Sequence, residues 1–185
     1  MTYKDYFKNL AEKENGEFYF KDEDVSIGMG VRSPDVVYKV TFNYKNNLFT
    51  IINRTGTAYV ATITCELSPA MQPIAFEIST RSHIQQLFST KQTRLKINAE
   101  NANIKYYLNK NHSFETLSQI AKKENFSPYI ACELNEGWRI EAKYHLEFDN
   151  WTDPIGPIID LYKGLIDEFE KRITNMSEKA YRELK

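Results

Sequence analysis

Histidine and carboxylate side chains alternate near residue 147, where they could form a metal site. His145, Glu147 and Asp149 are spaced two residues apart, so in a strand their side chains would share one face. Only one of the three offers a good nitrogen ligand. Residues 139–143 continue the same face with charges of alternating sign. A solvated row of charges explains this spacing better than a metal site does, and we predict no bound metal ion.

Four aspartates in the C-terminal part of the chain could supply the carboxylates of an acid–base catalyst. Such catalysis needs two groups held in unlike environments within a cleft. Asp153 precedes a proline, as turn residues often do, and Asp149 belongs to the same turn-rich connection. Asp160 and Asp167 are expected to face solvent on a helix. No spacing singles out a catalytic pair, so we assign no catalytic residue.

The two cysteines, Cys65 and Cys132, both lie among apolar neighbours. Two cysteines cannot build a disulfide framework, and these two do not form a Cys-x-x-Cys pair. A free cysteine in apolar surroundings is usually a small buried hydrophobe. None of the three histidines has a spacing that nominates it as the base of a nucleophile. We therefore predict two reduced, unreactive thiols.

A glycine pair at Gly28 and Gly30 begins like a dinucleotide-binding loop. The third glycine of that motif is absent, and Pro34 stands where a helix should open. A phosphate-binding loop needs the start of that helix, because its N–H groups point at the anion. The segment is therefore predicted to be a turn at the end of a strand, and no organic cofactor is expected.

Positive charge is concentrated in residues 81–123, which carry eight basic and two acidic side chains for a net charge of +6. Tyr106 and Tyr107 are interleaved with the lysines, and this combination can bind phosphates and stack bases. Binding of a polyanion is thus one candidate function. The whole chain carries a net charge of −1, and nucleic-acid-binding domains usually carry clear positive charge, so nucleic acid is a disfavoured partner.

Length and composition indicate an ordinary globular domain. The chain has 185 residues, of which 42% are hydrophobic and 26% charged, and one domain is the default at this length. No apolar run approaches the roughly 18 to 20 residues of a membrane span. Residues 1–6 show no apolar core of a secretion signal. We therefore expect a cytoplasmic protein that does not bind membranes.

The clearest local pattern is a hairpin that ends near residue 148. From Trp138 to Phe148, apolar and polar residues alternate without a break. Such alternation is typical of a strand with one buried and one solvated face. Residues 135–137 supply a turn, and residues 126–134 form the expected partner strand. The predicted buried residues are Trp138, Ile140, Tyr144 and Leu146, and the predicted exposed residues are Arg139, Glu141, Lys143 and His145.

Short strands dominate the first half of the chain. A helix over residues 3–14 comes first, because its apolar residues share one face. Tight turns then separate the strands, which favours an antiparallel sheet. The predicted strands cover residues 18–20 and 25–27 around an acidic turn at 21–24, then 36–44, 48–53 and 57–67, with another beginning at residue 74.

Helices dominate the second half. A helix is predicted from Ser113, which would cap it, to about Lys123. A long helix is predicted from Ile158, with one apolar stripe, and it should pack over the sheet face that carries Trp138 and Tyr144. Other predicted elements are a short helix at 81–88, a strand at 94–98 and a helical turn at 104–108.

These elements predict an α+β fold with an antiparallel β-meander sheet and helices packed on one face. We expect one domain over residues 1–176 and a charged, frayed tail over 177–185. The element order from residue 100 to 175 resembles that of cytoplasmic bacterial chaperone-like and regulator-like α+β domains, which act by binding other proteins. The resemblance covers element order alone, and the strands at 57–79 depart from it.

The sequence therefore leaves three candidate functions. The first is a small, non-enzymatic binding or protein-interaction module, whose partner is another protein or a second copy in a homodimer. The second is a hydrolase with a site assembled from dispersed residues. The third is polyanion binding through residues 81–123. An exposed apolar patch or an open sheet edge would favour the first function, and a deep pocket with converging carboxylates or histidines would favour the second.

Overall fold

The computed structural model describes residues 2–81 and 94–183, with side chains described as far as Arg172. Within these residues, eight strands form one antiparallel sheet in the order β1-β2-β3-β4-β8-β7-β5-β6. The strands are β1 (Glu17–Gly28), β2 (Val31–Tyr44), β3 (Asn47–Gly56), β4 (Val60–Glu66), β5 (Phe76–Thr80), β6 (Leu95–Asn98), β7 (Tyr129–Leu134) and β8 (Trp138–His145).

The first four strands form the predicted meander, in which each strand pairs with the next. The later strands do not continue it in order, because β8 pairs with β4 and places β7 and β5 beyond itself. The turn between β2 and β3 consists of Lys45 and Asn46, both with left-handed backbones (φ 48° and 61°). That conformation matches the twist of a two-residue hairpin.

One face of the sheet forms the core. Val40, Ile51, Ile63 and Ala142 follow one another across β2, β3, β4 and β8, and all four are buried. The predicted faces of β8 are confirmed in part, since Ile140, Tyr144 and, just past the strand, Leu146 are buried while Lys143 and His145 are exposed. Trp138, which was predicted to be buried, is half-buried. Arg139 and Glu141, which were predicted to be exposed, are half-buried as well.

Four helices are described: α1 (Tyr3–Lys13), α2 (Ala102–Lys110), α3 (His112–Lys123) and α4 (Ile155–Glu183). The ring of Phe7 on α1 stacks on Tyr38 of β2, and the hydroxyl of Tyr162 on α4 donates a hydrogen bond to the Ile63 carbonyl (3.2 Å). Both contacts lie on the core face, as the sequence predicts for the long helix. The α+β class is thus confirmed, with an antiparallel sheet and helices on one face.

The start of α3 differs from the prediction. Asn111, rather than Ser113, is the N-cap residue, and its side-chain oxygen accepts a hydrogen bond from the backbone N–H of Phe114 (3.2 Å). Asn111 also ends α2, so a single extended residue joins the two helices. Asn and Ser are similarly good caps, and the sequence alone does not decide between two candidates this close together.

The acidic segment 21–24 is not a turn. It lies inside β1, which runs from Glu17 to Gly28 and pairs with β2 residue by residue as far as Ser26, beyond which the register shifts at Ile27. Asp22, Glu23 and Asp24 are exposed there, so their charges remain in water and do not oppose strand formation. The prediction of two short strands was wrong because low strand propensity is outweighed by pairing with a neighbour.

Several predictions fall outside the described residues or remain open. The predicted helix at 81–88 lies almost wholly in residues 82–93, which are outside the described part of the chain. The side chain of Ile173, the last member of the apolar stripe, is outside it as well. The backbone of α4 is helical to Glu183, and fraying of the tail stays a prediction.

Candidate functional site

Strands β1 and β2 extend beyond the rest of the sheet as a two-stranded arm. The last pair between β2 and β3 is Asp35 with Gly56. Four further pairs join β1 and β2 past that point, from Asp24–Pro34 to Gly28–Val31. We call residues 24–34 the arm, which projects roughly 15 Å at the usual rise per strand residue.

The tip of the arm is apolar and exposed. Ile27 and Val31 are 59% and 52% exposed, and Met29 is fully exposed. Met29 and Gly30 form the turn with left-handed backbones (φ 49° and 75°). The predicted strand-end turn at this glycine pair is thus confirmed. Single exposed apolar residues are common, but here three lie within five residues at one projecting turn.

The arm is anchored where it leaves the sheet. The carboxylate of Asp35, which is 2% exposed, accepts hydrogen bonds from Arg54 Nε (2.6 Å), Arg54 Nη2 (2.9 Å) and the hydroxyl of Thr57 (2.8 Å). The bonds from Arg54, followed by that from Thr57, lower the pKa of Asp35. Gly56 is required beside this group, because a Cβ there would lie 1.9 Å from the Pro34 carbonyl oxygen.

An open cleft of about 1100 Å³ lies between α2, the start of α3, α4 and the segment before β5. Its apolar lining comes from Pro73, Ile74, Tyr106 and Tyr107. The helices α2 and α4 approach closely at Gly164, where a Cβ would lie 2.5 Å from the Tyr107 hydroxyl. A larger residue at position 164 would push α2 and α4 apart.

The polar lining of the cleft is unevenly charged. The Arg172 guanidinium lies 3.6 Å from the Glu168 carboxylate, so these charges offset each other, whereas Lys110 adds a cation. Burial raises the pKa of the Tyr107 hydroxyl, which accepts a hydrogen bond from the Asn111 amide (3.2 Å). The side chain of His112 is 92% exposed and so is not held against the other polar groups.

The candidate metal ligands and catalytic carboxylates do not converge. His145, Glu147 and Asp149 are exposed, and no group of three or more His, Cys, Asp or Glu side chains within the described residues could hold a metal ion. Asp153 and Asp160 are exposed as well.

Asp167 departs from its predicted place in solvent. It is half-buried and accepts hydrogen bonds from Lys45 Nζ (2.7 Å) and the Tyr44 hydroxyl (3.1 Å). Lys45 also contacts Glu170 (2.8 Å). These carboxylates join α4 to the β2–β3 turn, which gives Asp167 a structural role.

Both thiols lie in the core, as predicted. Cys65 on β4 and Cys132 on β7 are each paired with Ile140 of the strand between them, and both are buried. Burial raises the pKa of the Cys65 thiol and raises that of Cys132 to about 12. Neither thiol ionises near neutral pH, and the thiolate is the reactive form.

The described cations of the basic segment lie on several elements. Arg94 donates hydrogen bonds to the carbonyls of Ala121 (2.9 Å) and Glu124 (3.2 Å) and therefore holds the end of α3. Lys122 and Lys123 lie in the last turn of the same helix. The remaining described cations are Arg81, just past β5, Lys96 on β6, and Lys105 and Lys110 on α2, and residues 82–93 are outside the described part.

Sequence analysis missed the arm as a candidate site. The usable signal is the alternation of apolar residues with glycine in residues 27–31, where a turn would normally carry polar side chains. Because the acidic segment was assigned to a turn, these residues looked like the end of a short strand. Only the pairing of β1 with β2 shows that they project.

Comparison of the chain with protein-family models, with curated proteins and with solved structures finds no match in any of the three. Among the described residues, no helix has both the length and the apolar character needed to cross a membrane. The case for a function therefore depends on the arm and the cleft themselves.

Proposed function

We propose that this protein is a non-enzymatic protein-interaction module that docks through its arm. The observation that carries the proposal is the exposed tip, in which Ile27, Met29 and Val31 stand clear of the sheet. Apolar side chains of this kind gain about 1.5–3 kcal/mol each when a partner removes them from water.

The arm is also prepared for binding. Its two strands are paired except at Ile27, where the register shifts, Arg32 Nη2 donates a hydrogen bond to the Asp24 carbonyl (2.8 Å), and Asp35 anchors the base. A binding element that is already ordered loses less conformational entropy when it docks. The partner therefore needs only a groove that accepts the apolar tip.

The described part of the chain gives less support to the alternatives. A hydrolase needs a base and a nucleophile within hydrogen-bond reach, whereas the cleft is open and the side chain of His112 points into solvent. A polyanion site needs cations on one surface, and those of the basic segment lie on several elements.

The test compares two triple variants. The tip variant carries Ile27→Ser, Met29→Ser and Val31→Ser; the control variant carries Leu48→Ser, Tyr129→Ser and Leu134→Ser, which replace three other exposed apolar residues. Partners captured from cell extract by the wild type are identified, purified and measured by calorimetry. We expect the tip variant to bind about a hundredfold more weakly and the control variant to bind normally. A purified partner that binds the tip variant at full affinity contradicts the proposal.

A further inference from the structure

We infer that Met29, at the tip of the arm, is a site of reversible oxidation that switches docking off. A peroxide converts the Met29 thioether into a sulfoxide, and the tip then carries a polar group where it would enter an apolar groove. The inference rests on the proposed function, because it names how binding through the arm is regulated.

Met29 is open to an oxidant in solution. The residue is fully exposed at the turn between β1 and β2, at the far end of the arm. Its two neighbours are Gly28 and Gly30, which have no side chains to shield it. A peroxide therefore reaches the Met29 sulfur without any opening of the fold, and exposure is a main determinant of how fast a sulfur group oxidises.

The other sulfur groups that the structure describes are protected. Met71 is 8% exposed and belongs to the core cluster. Cys65 and Cys132 are buried, and burial raises the pKa of both thiols, so neither forms the thiolate that peroxides attack. The side chains of Met1 and Met176 lie outside the described part. Within the described part, oxidation is thus directed to the tip.

The reaction transfers an oxygen atom to the Met29 sulfur. A lone pair of the sulfur attacks one oxygen of hydrogen peroxide, the O–O bond breaks and an S=O bond forms. The proton on the transferred oxygen passes to the other oxygen, which leaves as water. The sulfur is oxidised and the peroxide is reduced by the same electron pair. A dithiol reductant reverses the change, because its thiols become a disulfide while the sulfoxide oxygen leaves as water.

Oxidation at this position alters the surface and spares the fold. A sulfoxide in a core disrupts packing, but Met29 is not a member of the core cluster. The bonds between Arg54 and Asp35 that anchor the arm lie at its other end. The oxidised side chain stays in water in the free protein, so the chain remains folded with a polar tip.

A polar tip binds more weakly than an apolar one. Ile27 and Val31 flank Met29 and are exposed with it, so a groove that accepts the tip must offer apolar surface. A sulfoxide oxygen that enters such a groove loses its hydrogen bonds to water, which costs free energy unless they are replaced. The contribution of the buried thioether is lost as well. We expect the oxidised chain to bind at least about tenfold more weakly.

The first test maps where the full chain is oxidised. The protein is treated briefly with dilute hydrogen peroxide, and mass spectrometry of its peptides gives the sulfoxide formed at each methionine. We expect Met29 to react as fast as free methionine and Met71 at least about tenfold more slowly. The oxidised chain should melt like the untreated one. Equal rates at Met29 and Met71, or unfolding on oxidation, overturn the inference.

The second test uses a phenyl-substituted chromatography matrix as the apolar probe. Oxidised wild type should elute earlier than untreated wild type, and a methionine sulfoxide reductase with a dithiol should restore the original retention. Met29→Leu is the matched control, because it keeps an apolar side chain without sulfur. Its retention should not change with peroxide, whatever happens at Met1 or Met176. An unchanged wild type, or an equal shift in Met29→Leu, overturns the inference.

Calorimetry with the purified partner separates this inference from the proposed function. Oxidised wild type should bind at least about tenfold more weakly, while peroxide-treated Met29→Leu binds at the affinity of untreated protein. If oxidised wild type binds at full affinity and the tip variant binds weakly, the inference is overturned and the proposed function is supported. If the tip variant also binds at full affinity, both are overturned.

Discussion

At the scale of single residues, two buried asparagines of the meander form a natural pair for experiment. The Asn47 side chain donates to the carbonyls of Tyr44 (3.0 Å) and Lys45 (2.7 Å) and accepts from the Ser68 N–H (2.8 Å). Asn53 is equally buried, but neither its amide nitrogen nor its oxygen has a hydrogen-bond partner among the described residues. A buried polar group without partners costs about 1–3 kcal/mol.

Replacing each asparagine with valine should therefore have opposite effects. Asn53→Val removes an unmatched amide and favours the strand, so we expect the free energy of unfolding to rise by about 1–2 kcal/mol. Asn47→Val breaks three hydrogen bonds and should lower it by about 1–3 kcal/mol. Urea unfolding of both variants tests the pair. A loss of stability in Asn53→Val would show that its amide has a partner, such as a buried water molecule.

Asp35 should make the stability of the protein depend on pH in acid. Its pKa is lowered in the folded protein, so the ionised group stabilises the fold above the ordinary aspartate pKa of about 3.9. This contribution disappears as the pH falls below that value and through the lowered pKa of the folded state. We expect the difference in Tm between the wild type and Asp35→Asn to be constant near neutral pH and to shrink in strong acid. Asp160→Asn, which removes a carboxylate at an exposed position, is the matched control.

The two thiols should be unreactive in the native protein. Cys65 and Cys132 are buried, and burial raises both pKa values. A thiol reagent at mildly alkaline pH should modify neither residue on a timescale in which it modifies both in denaturant. Mass spectrometry after short labelling gives the measurement, with free cysteine as the reference for the reagent. Rapid native labelling of either thiol would mean that the core opens locally.

At the scale of elements, α4 should be indispensable for folding. Eight of its residues from Ile155 to Phe169 are buried against the sheet and α3, and the stability of such a helix comes mainly from this burial. A chain that lacks residues 158–185 should lose its cooperative thermal transition and aggregate, whereas a chain that lacks only 177–185 should melt like the full chain. Gel filtration and thermal melts compare the two. A well-folded monomer without residues 158–185 would show that α4 serves a partner instead.

The elements that sequence analysis predicted correctly are those whose type and buried face follow from one local pattern. In β8, alternation of residue type fixes both the strand and its buried face, and in α4 the apolar stripe does the same for a helix. The errors lie where the conformation of a segment depends on a partner distant in the sequence. The acidic residues of β1 have low strand propensity, and their state depends on β2. The arm becomes visible only because β3 ends at Gly56 while β1 and β2 continue past it. The cleft joins residues from 72 to 172, and no local pattern predicts that contact.

At the scale of the whole molecule, one core implies one unfolding transition. The buried cluster runs from α1 across the sheet to α3 and α4. Trp151 packs against Tyr3 and Phe7 of α1, whereas Trp138 lies at the start of β8, so the two indoles report on different parts of the molecule. Trp138→Phe and Trp151→Phe leave one reporter each. We expect each reporter to give the same urea midpoint as far-ultraviolet circular dichroism of the same variant. Different midpoints would show separate folding units.

The pairing of β4 with β8 has a consequence for synthesis on the ribosome. β4 ends at Glu66, but β8 begins at Trp138, and at ordinary translation rates the intervening residues take roughly 4–14 s to make. During that interval the four-stranded meander is complete, its β4 edge has no neighbour and its apolar face has no α4 to cover it. The nascent chain therefore passes through a state in which the open β4 edge can pair with strands of other chains. Slower translation between residues 67 and 137 should lengthen this exposure and reduce the yield of native protein.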